Sequence, residues 1–324
     1  MTEATQPQKK TNPPPFLPSQ NLLRVSRFAA VNTILANLLF FLLLSILVLL
    51  PLPLLARGAW NQKPDGYYIK LGPTFLTANQ EYDLQGSLRD IFNDPVNFRN
   101  PSFGITNIGF YAELGLTDWL TGTLSTQYSV AVREATLPNG VDTSQSASGL
   151  GDIWLGGRVR LLPDGGSVVG AVTLGLKLPT GSPNQEIPLG TGVIDYEGAV
   201  AFGGPFALAE LLGYWQSSGG YRLRNRGANE LTYQAEIGVT IAETLMLQGV
   251  VDGVHSFADF DAATSAIGGM VSTASSDQSF ARWNANFIYS LSPDTDLTVG
   301  YGHTFSGRNA LSAGAFGVGV AWKK

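Results

Sequence analysis

Between Glu230 and Ile241 the side chains change character at every step. Leu231, Tyr233, Ala235, Ile237, Val239 and Ile241 share one parity, and Glu230, Thr232, Gln234, Glu236, Gly238 and Thr240 share the other. A strand turns successive side chains to opposite faces, so such a segment separates an apolar phase from a wet one across one layer of backbone. The same two-residue period recurs near 67–75, 105–116, 120–133, 149–161, 168–178, 191–202, 207–224, 245–257, 280–291, 297–306 and 310–322. With 230–241 these make twelve strands, and no stretch after Ala59 holds a 3.6-residue apolar period for three turns.

The links between strands carry independent information. Turn-forming residues cluster at Thr117-Asp118, Pro163-Asp164-Gly165-Gly166, Gly203-Gly204-Pro205, Ala242-Glu243 and Ser292-Pro293-Asp294. Between these turns lie links near 76–104, 134–148, 179–190, 225–229, 258–279 and 307–309, most of them longer. Short and long connections in alternation are the rhythm of a transmembrane β-barrel with short periplasmic turns and longer extracellular loops. The expected fold is therefore all-β: an antiparallel up-and-down barrel of about twelve strands, spanning residues 59–324. A soluble β-sandwich, whose alternating residues would face a core, is the competing fold.

Charge placement is the sharper test of a barrel, because Lys or Arg on the lipid face near the midplane costs about 2 to 4 kcal/mol while a wet lumen tolerates it. Arg158 and Arg160 share parity, as do Asp195 and Glu197, Glu210 with Arg222 and Arg224, and Glu230 with Glu236. Lys70, Glu113, Arg133, Asp152, Lys177, Asp252 and Arg282 also fall opposite mostly apolar or aromatic neighbours. These sixteen residues, eight acids and eight bases, are the expected pore-lining set. Glu113, Arg158, Arg160, Glu210 and Glu236 are expected to cluster in the periplasmic half. Phe202, Tyr289 and Trp322 would mark the periplasmic aromatic girdle, and Tyr128, Trp215, Tyr221, Tyr301 and Phe305 the outer one.

The run Leu38–Leu50 is almost purely apolar, follows Arg24 and Arg27, and leads into Pro51, Pro53 and the small-residue stretch from Ala56 to Ala59. It is shorter than the roughly 20 apolar residues that span a bilayer, so residues 1–58 read as an N-terminal extension and secretory signal, with cleavage before Ala59. An uncleaved anchor beginning near Phe28 is the other reading. Residues 1 to about 20 are long and polar for an n-region, as expected if translation starts further along. Export places the barrel in the outer membrane of a Gram-negative bacterium, with outer-membrane lipid and the barrel-assembly machinery as partners. A terminal aromatic usually guides assembly; here Trp322 is followed by Lys323 and Lys324.

With 44% hydrophobic and 14% charged residues the chain must fold, and its net charge of −5 with scattered Lys and Arg offers nucleic acid nothing to grip. Cysteine is absent, which excludes thiol chemistry and Cys-type metal or iron–sulfur sites. His255 and His303 take outward parity near strand ends, with Ser256, Ser306 or Ser312 as conceivable partners for lipid hydrolysis; a girdle or loop role is the plainer reading, and no catalytic residue is expected. Neither histidine has the carboxylate spacing of a metal site, and no cofactor is implied. Gly149-Leu-Gly151 and Gly317-Val-Gly319 lack the remainder of a nucleotide fingerprint.

The segment Ser148–Leu162, the run Leu174–Gly181, the run Leu189–Glu197, the Leu116–Trp119 turn and Gly220–Arg224 together resemble the outer-membrane transporter family associated with the meta-pathway of phenol degradation. That resemblance implies a barrel passing small organic solutes, aromatic ones included. Passive channel or facilitator is accordingly the expected function, against a structural or adhesive barrel without transport or, further off, a lipid-modifying enzyme. About ten residues separate the expected cleavage site from the first strand, too few for an internal plug, so occlusion is expected from the segments near 76–104 and 258–279.

Overall fold

The computed structural model describes residues 58–91, 99–163, 166–259 and 277–324. The signal-like segment 1–57 lies outside them. The strands are β1 (Tyr67–Tyr82), β2 (Leu88–Asp90), β3 (Arg99–Gly115), β4 (Leu120–Thr136), β5 (Asp142–Leu150), β6 (Ile153–Arg160), β7 (Val169–Leu178), β8 (Asp195–Leu208), β9 (Leu211–Arg224), β10 (Glu230–Ala242), β11 (Leu245–Ser256), β12 (Ser279–Ser292), β13 (Thr295–Arg308) and β14 (Ala310–Lys323). Consecutive wall strands pair antiparallel, and β14 returns to β1 from Tyr68↔Lys323 to Tyr82↔Ala310, closing the sheet. β5 and β6 lie end to end along β4 and fill one place in the wall, while β2 is a short return against β1. The result is a closed barrel of twelve strands, as the alternation requires. The end where β1 begins and β14 ends is termed the base, and the opposite end the rim.

The two faces of the wall are chemically distinct. Charged side chains at the outward strand positions, Arg99, Glu134, Asp142 and Arg308, stand at the rim ends of β3, β4, β5 and β13. Large apolar side chains such as Leu114, Leu155, Leu174, Leu223 and Phe287 are exposed instead. Such a band suits hydrocarbon and would be a liability in water. Along β8 burial alternates residue by residue from Asp195 to Gly203, with Asp195, Glu197, Ala199 and Ala201 inside and Tyr196, Val200 and Phe202 outside.

Several boundaries differ from the sequence reading. The turn expected at Gly203-Gly204-Pro205 sits at Ala209-Glu210, where Ala209 has φ +53°. Pairing of β8 with β7 stops at Val169↔Gly203, so Pro205 lies where one edge of β8 has no partner and its missing N–H breaks no ladder. Glu210, expected on the lumen wall, is therefore an exposed turn residue. Trp215, expected in the outer girdle, stands four residues after β9 starts at the base. The link expected over 134–148 is a hairpin of β4 and β5 around Leu137–Val141, and β1 and β3 likewise run beyond their expected ends. Residues 191–194, expected in a strand, belong to the loop before β8.

Candidate functional site

The chain before β1 turns into the bore at the base. Ala59 donates its N–H to Gln216 Oε1 at 3.2 Å, and Arg158 Nη1 donates to the Trp60 carbonyl at 2.8 Å. Asn61 Nδ2 donates to the Trp119 and Arg158 carbonyls at 3.2 and 3.0 Å. Gln62 is held twice, its N–H by Thr121 Oγ1 at 2.9 Å and its side-chain amide by Glu113 Oε2 at 2.7 Å. The Trp60 ring meets Tyr214 edge-on at 5.6 Å and lies over Gly203, where a Cβ would stand 2.7 Å from it. Ten residues are too few for a domain, yet they suffice for this strap, so the expectation that only loops occlude the barrel is corrected.

Below the strap, Arg158 and Glu113 form an ion pair at 2.8 Å, with Arg158 only 1% exposed, and the Tyr111 hydroxyl donates to the same carboxylate. Glu236 forms a separate node: it accepts from Tyr214 Oη at 2.5 Å, Gln216 and Gln234 at 3.0 Å, and Gln248 at 2.9 Å. Of the five residues expected to cluster here, Glu113 and Arg158 touch, and Glu236 joins them through Gln216 and the strap. Arg160 ends β6 half-buried, and Glu210 is in its turn.

Towards the rim one side of the bore is ionic. Lys177 pairs with Asp195 and lies 3.6 Å from Asp152. Arg222 bridges Glu197 at 3.0 Å and Glu230 at 2.6 Å, while Arg224 bridges Glu230 at 2.8 Å and Asp277 at 3.0 Å. Arg282 pairs with Asp252 at 2.9 Å, and Arg133 on the opposite side holds Gln145. The facing side is apolar: Ala78, Phe103, Ile105, Ala131, Ala135, Ala147 and Ala313 form one buried cluster with Ile187 and Leu189. Those last two belong to the loop between β7 and β8, folded inward and pinned by Asp152, which accepts N–H bonds from Gly181 and Thr191 at 3.0 Å each. The loop passes so close that a Cβ on Gly190 would lie 2.5 Å from Asp152 Oδ1.

Between these surfaces is a cavity of about 400 Å³ lined by Trp154, Lys177, Leu189, Arg222, Val254 and Phe280 among others, with the Arg222 guanidinium 4.9 Å above the Trp154 ring. A second cavity, about 430 Å³, holds Lys70 with Tyr111, Asn284 and Asn286 beside the glycines of β13 and β14. At the outer surface His255 is exposed and stacks edge-on against Phe257 at 5.4 Å, whereas its neighbour Ser256 is buried on the inner side. Among the described residues no three His, Cys, Asp or Glu side chains gather as a metal site.

The architecture has solved counterparts. The COG4313 outer membrane channel from Pseudomonas putida F1 superposes with a TM-score of 0.54 at 14% identity, over 84% of this chain and 100% of that one. The likeness is one of fold. The NanC porin aligns over 79% of this chain and 100% of its own at 8% identity, with a TM-score of 0.48. No protein-family model matches the sequence, and no curated protein does. The resemblance to the phenol meta-pathway transporters thus rests on the glycine-rich motifs alone.

Alternation marked Arg158, Lys177, Arg222 and their acidic partners but missed the buried carboxylates Glu81 and Asp296 with Arg89 and Lys323. It also missed the strap, the inward loop and the neutral donors Tyr111, Tyr214, Gln216 and Gln248. One signal for the strap was present. Trp60-Asn61-Gln62 are hydrogen-bonding residues without charge, placed immediately after the expected cleavage site, where a free linker needs none of them.

Proposed function

We propose that the chain is a passive outer-membrane channel of a Gram-negative bacterium, passing small organic solutes between the rim, outside, and the base, in the periplasm. The observation that carries this reading is the division of one wall into an apolar exterior, charged only at its rim among the described residues, and an interior rich in ion pairs enclosing solute-sized cavities. The lumen set is Lys70, Glu113, Arg133, Asp152, Arg158, Arg160, Lys177, Asp195, Glu197, Arg222, Arg224, Glu230, Glu236, Asp252 and Arg282. Matched charges keep the bore hydrated without a strong field of either sign, and the apolar patch with Trp154 and Phe280 favours solutes with an apolar or aromatic body. Chemistry plays no part in this reading, since the two histidines lie on the lipid side, apart from the bore.

Purified barrel in planar bilayers should carry small, steady ionic currents, and liposomes containing it should swell in small sugars and aromatic amides. A second reading, a barrel that does not transport, is favoured by the narrowing at both ends. Silent bilayers together with unswollen liposomes would establish it in place of the channel.

A further inference from the structure

Glu236 lies deep in the bore, 9% exposed, and all four of its hydrogen-bond donors, on Tyr214, Gln216, Gln234 and Gln248, are neutral. Lys70 on β1 attracts this carboxylate electrostatically but makes no ion pair or hydrogen bond with it among the described residues. A buried carboxylate without a cation bonded to it is costly. One amide away is the Ala59 nitrogen: Gln216 accepts from it through Oε1 and donates to Glu236 through Nε2. Ala59 is 2% exposed and Trp60 rests against Tyr214, so this nitrogen is fixed at the carboxylate's doorstep. It is also the nitrogen that cleavage before Ala59 would convert to an amine.

We propose that export processing between Gly58 and Ala59 adds a cation at hydrogen-bonding range of this cluster, and that the new α-ammonium, docked at Gln216 and Glu236, latches the strap across the base of the bore. Resting on the export reading above, it assigns the latch to the mature chain alone. Water adds across the Gly58–Ala59 peptide bond under a signal peptidase, leaving a carboxylate on the departing segment and an amine on Ala59 that takes up a proton. Before cleavage the same nitrogen is an amide with one hydrogen to give; afterwards it has three and a charge. The other charge at this point is Arg158, whose guanidinium is 3.0 Å from where a Cβ on Gly58 would be. Glu113 already compensates it, and Lys70 acts on Glu236 only at longer range. Lys70 and Arg160 also face the bore, on β1 and β6.

N-terminal sequencing of barrel purified from outer membranes should read Ala-Trp-Asn-Gln; any other start overturns the proposal. Reductive methylation of that protein should modify the α-amine about tenfold more slowly when folded than when unfolded, the difference expected of a salt-linked, enclosed amine. Glu236→Gln should abolish the protection, and Glu236→Gln with Gln216→Glu should restore it by returning a carboxylate to the nitrogen. Heat-modifiable gel migration confirms that each variant is folded. Equal labelling of folded and unfolded wild type, or full protection in Glu236→Gln, would overturn the latch. Labelling needs no current, so a barrel that proved silent would remove the channel reading and leave this one to be judged by its own result.

Discussion

The two ends of the bore are narrowed by the same kinds of contact in different balance, for the strap too has an apolar part, Ala59 and Trp60 packed on Val169 and Ala201. At the base the strap is held by directional bonds: the Arg158–Glu113 pair, the Trp60 carbonyl, and the Asn61 and Gln62 amides. At the rim the inward loop is held by Asp152, by Lys177 donating to Thr191 Oγ1 at 2.6 Å, and by the burial of Ile187 and Leu189 against small apolar side chains, so apolar contact carries a larger share there. A constriction built from an ion pair is lost when one partner goes, because the other is left charged and dry. One built from apolar contact yields by degrees, in proportion to the surface removed.

Arg158→Met should therefore have the largest effect, destabilising the barrel by about 3 to 5 kcal/mol and raising conductance, as the strap loses its central donor. Urea unfolding in lipid vesicles and single-channel recording measure the two. Asp152→Asn, which weakens charge-assisted bonds to Gly181 and Thr191, should cost about 1.5 to 3 kcal/mol and expose the loop at 182–188 to protease without altering the base. Gly203→Ala pushes a methyl group against the Trp60 ring and should cost about 1 to 3 kcal/mol, shifting tryptophan fluorescence as the ring moves. Ile187→Val, the mildest, should cost about 0.5 to 1.5 kcal/mol and leave conductance at the base unchanged. If Arg158→Met proved no worse than Ile187→Val, the contrast between the ends would be mistaken.

The wall was legible in the sequence because lipid imposes a rule on every second residue. β8 and β10 show it plainly, and where the rule lapses the reading lapsed too. At the rim the outer face of β4 and β5 meets water instead of lipid, so Glu134, Ser144 and Ser146 stand where large apolar side chains would otherwise mark the period, and the hairpin looked like a loop. Gly203 and Pro205 carry turn chemistry but sit in β8 for other reasons, one to admit Trp60 and the other at an unpaired edge. Glu210 was misplaced with them. The interior was half legible: charge marked Arg158, Lys177 and Arg222, but which acid each one meets depends on strand stagger and on segments without periodicity. Ile187 and Leu189 point inward from a loop, where no alternation tells inside from outside.

The central claim is that one side-chain parity of each strand faces lipid and the other an aqueous bore. Because the chain has no cysteine, single Cys replacements along β8 from Tyr196 to Phe202 report one position each. Reconstituted in vesicles, cysteines at 197 and 199 should react with a small water-soluble thiol reagent, and one at 201 more slowly because the strap packs over it. Those at 196, 200 and 202 should resist it and report a lipid-borne quencher when fluorescently labelled. Reactivity without a two-residue period, or with water reaching the even positions, would contradict the barrel's orientation of its two faces.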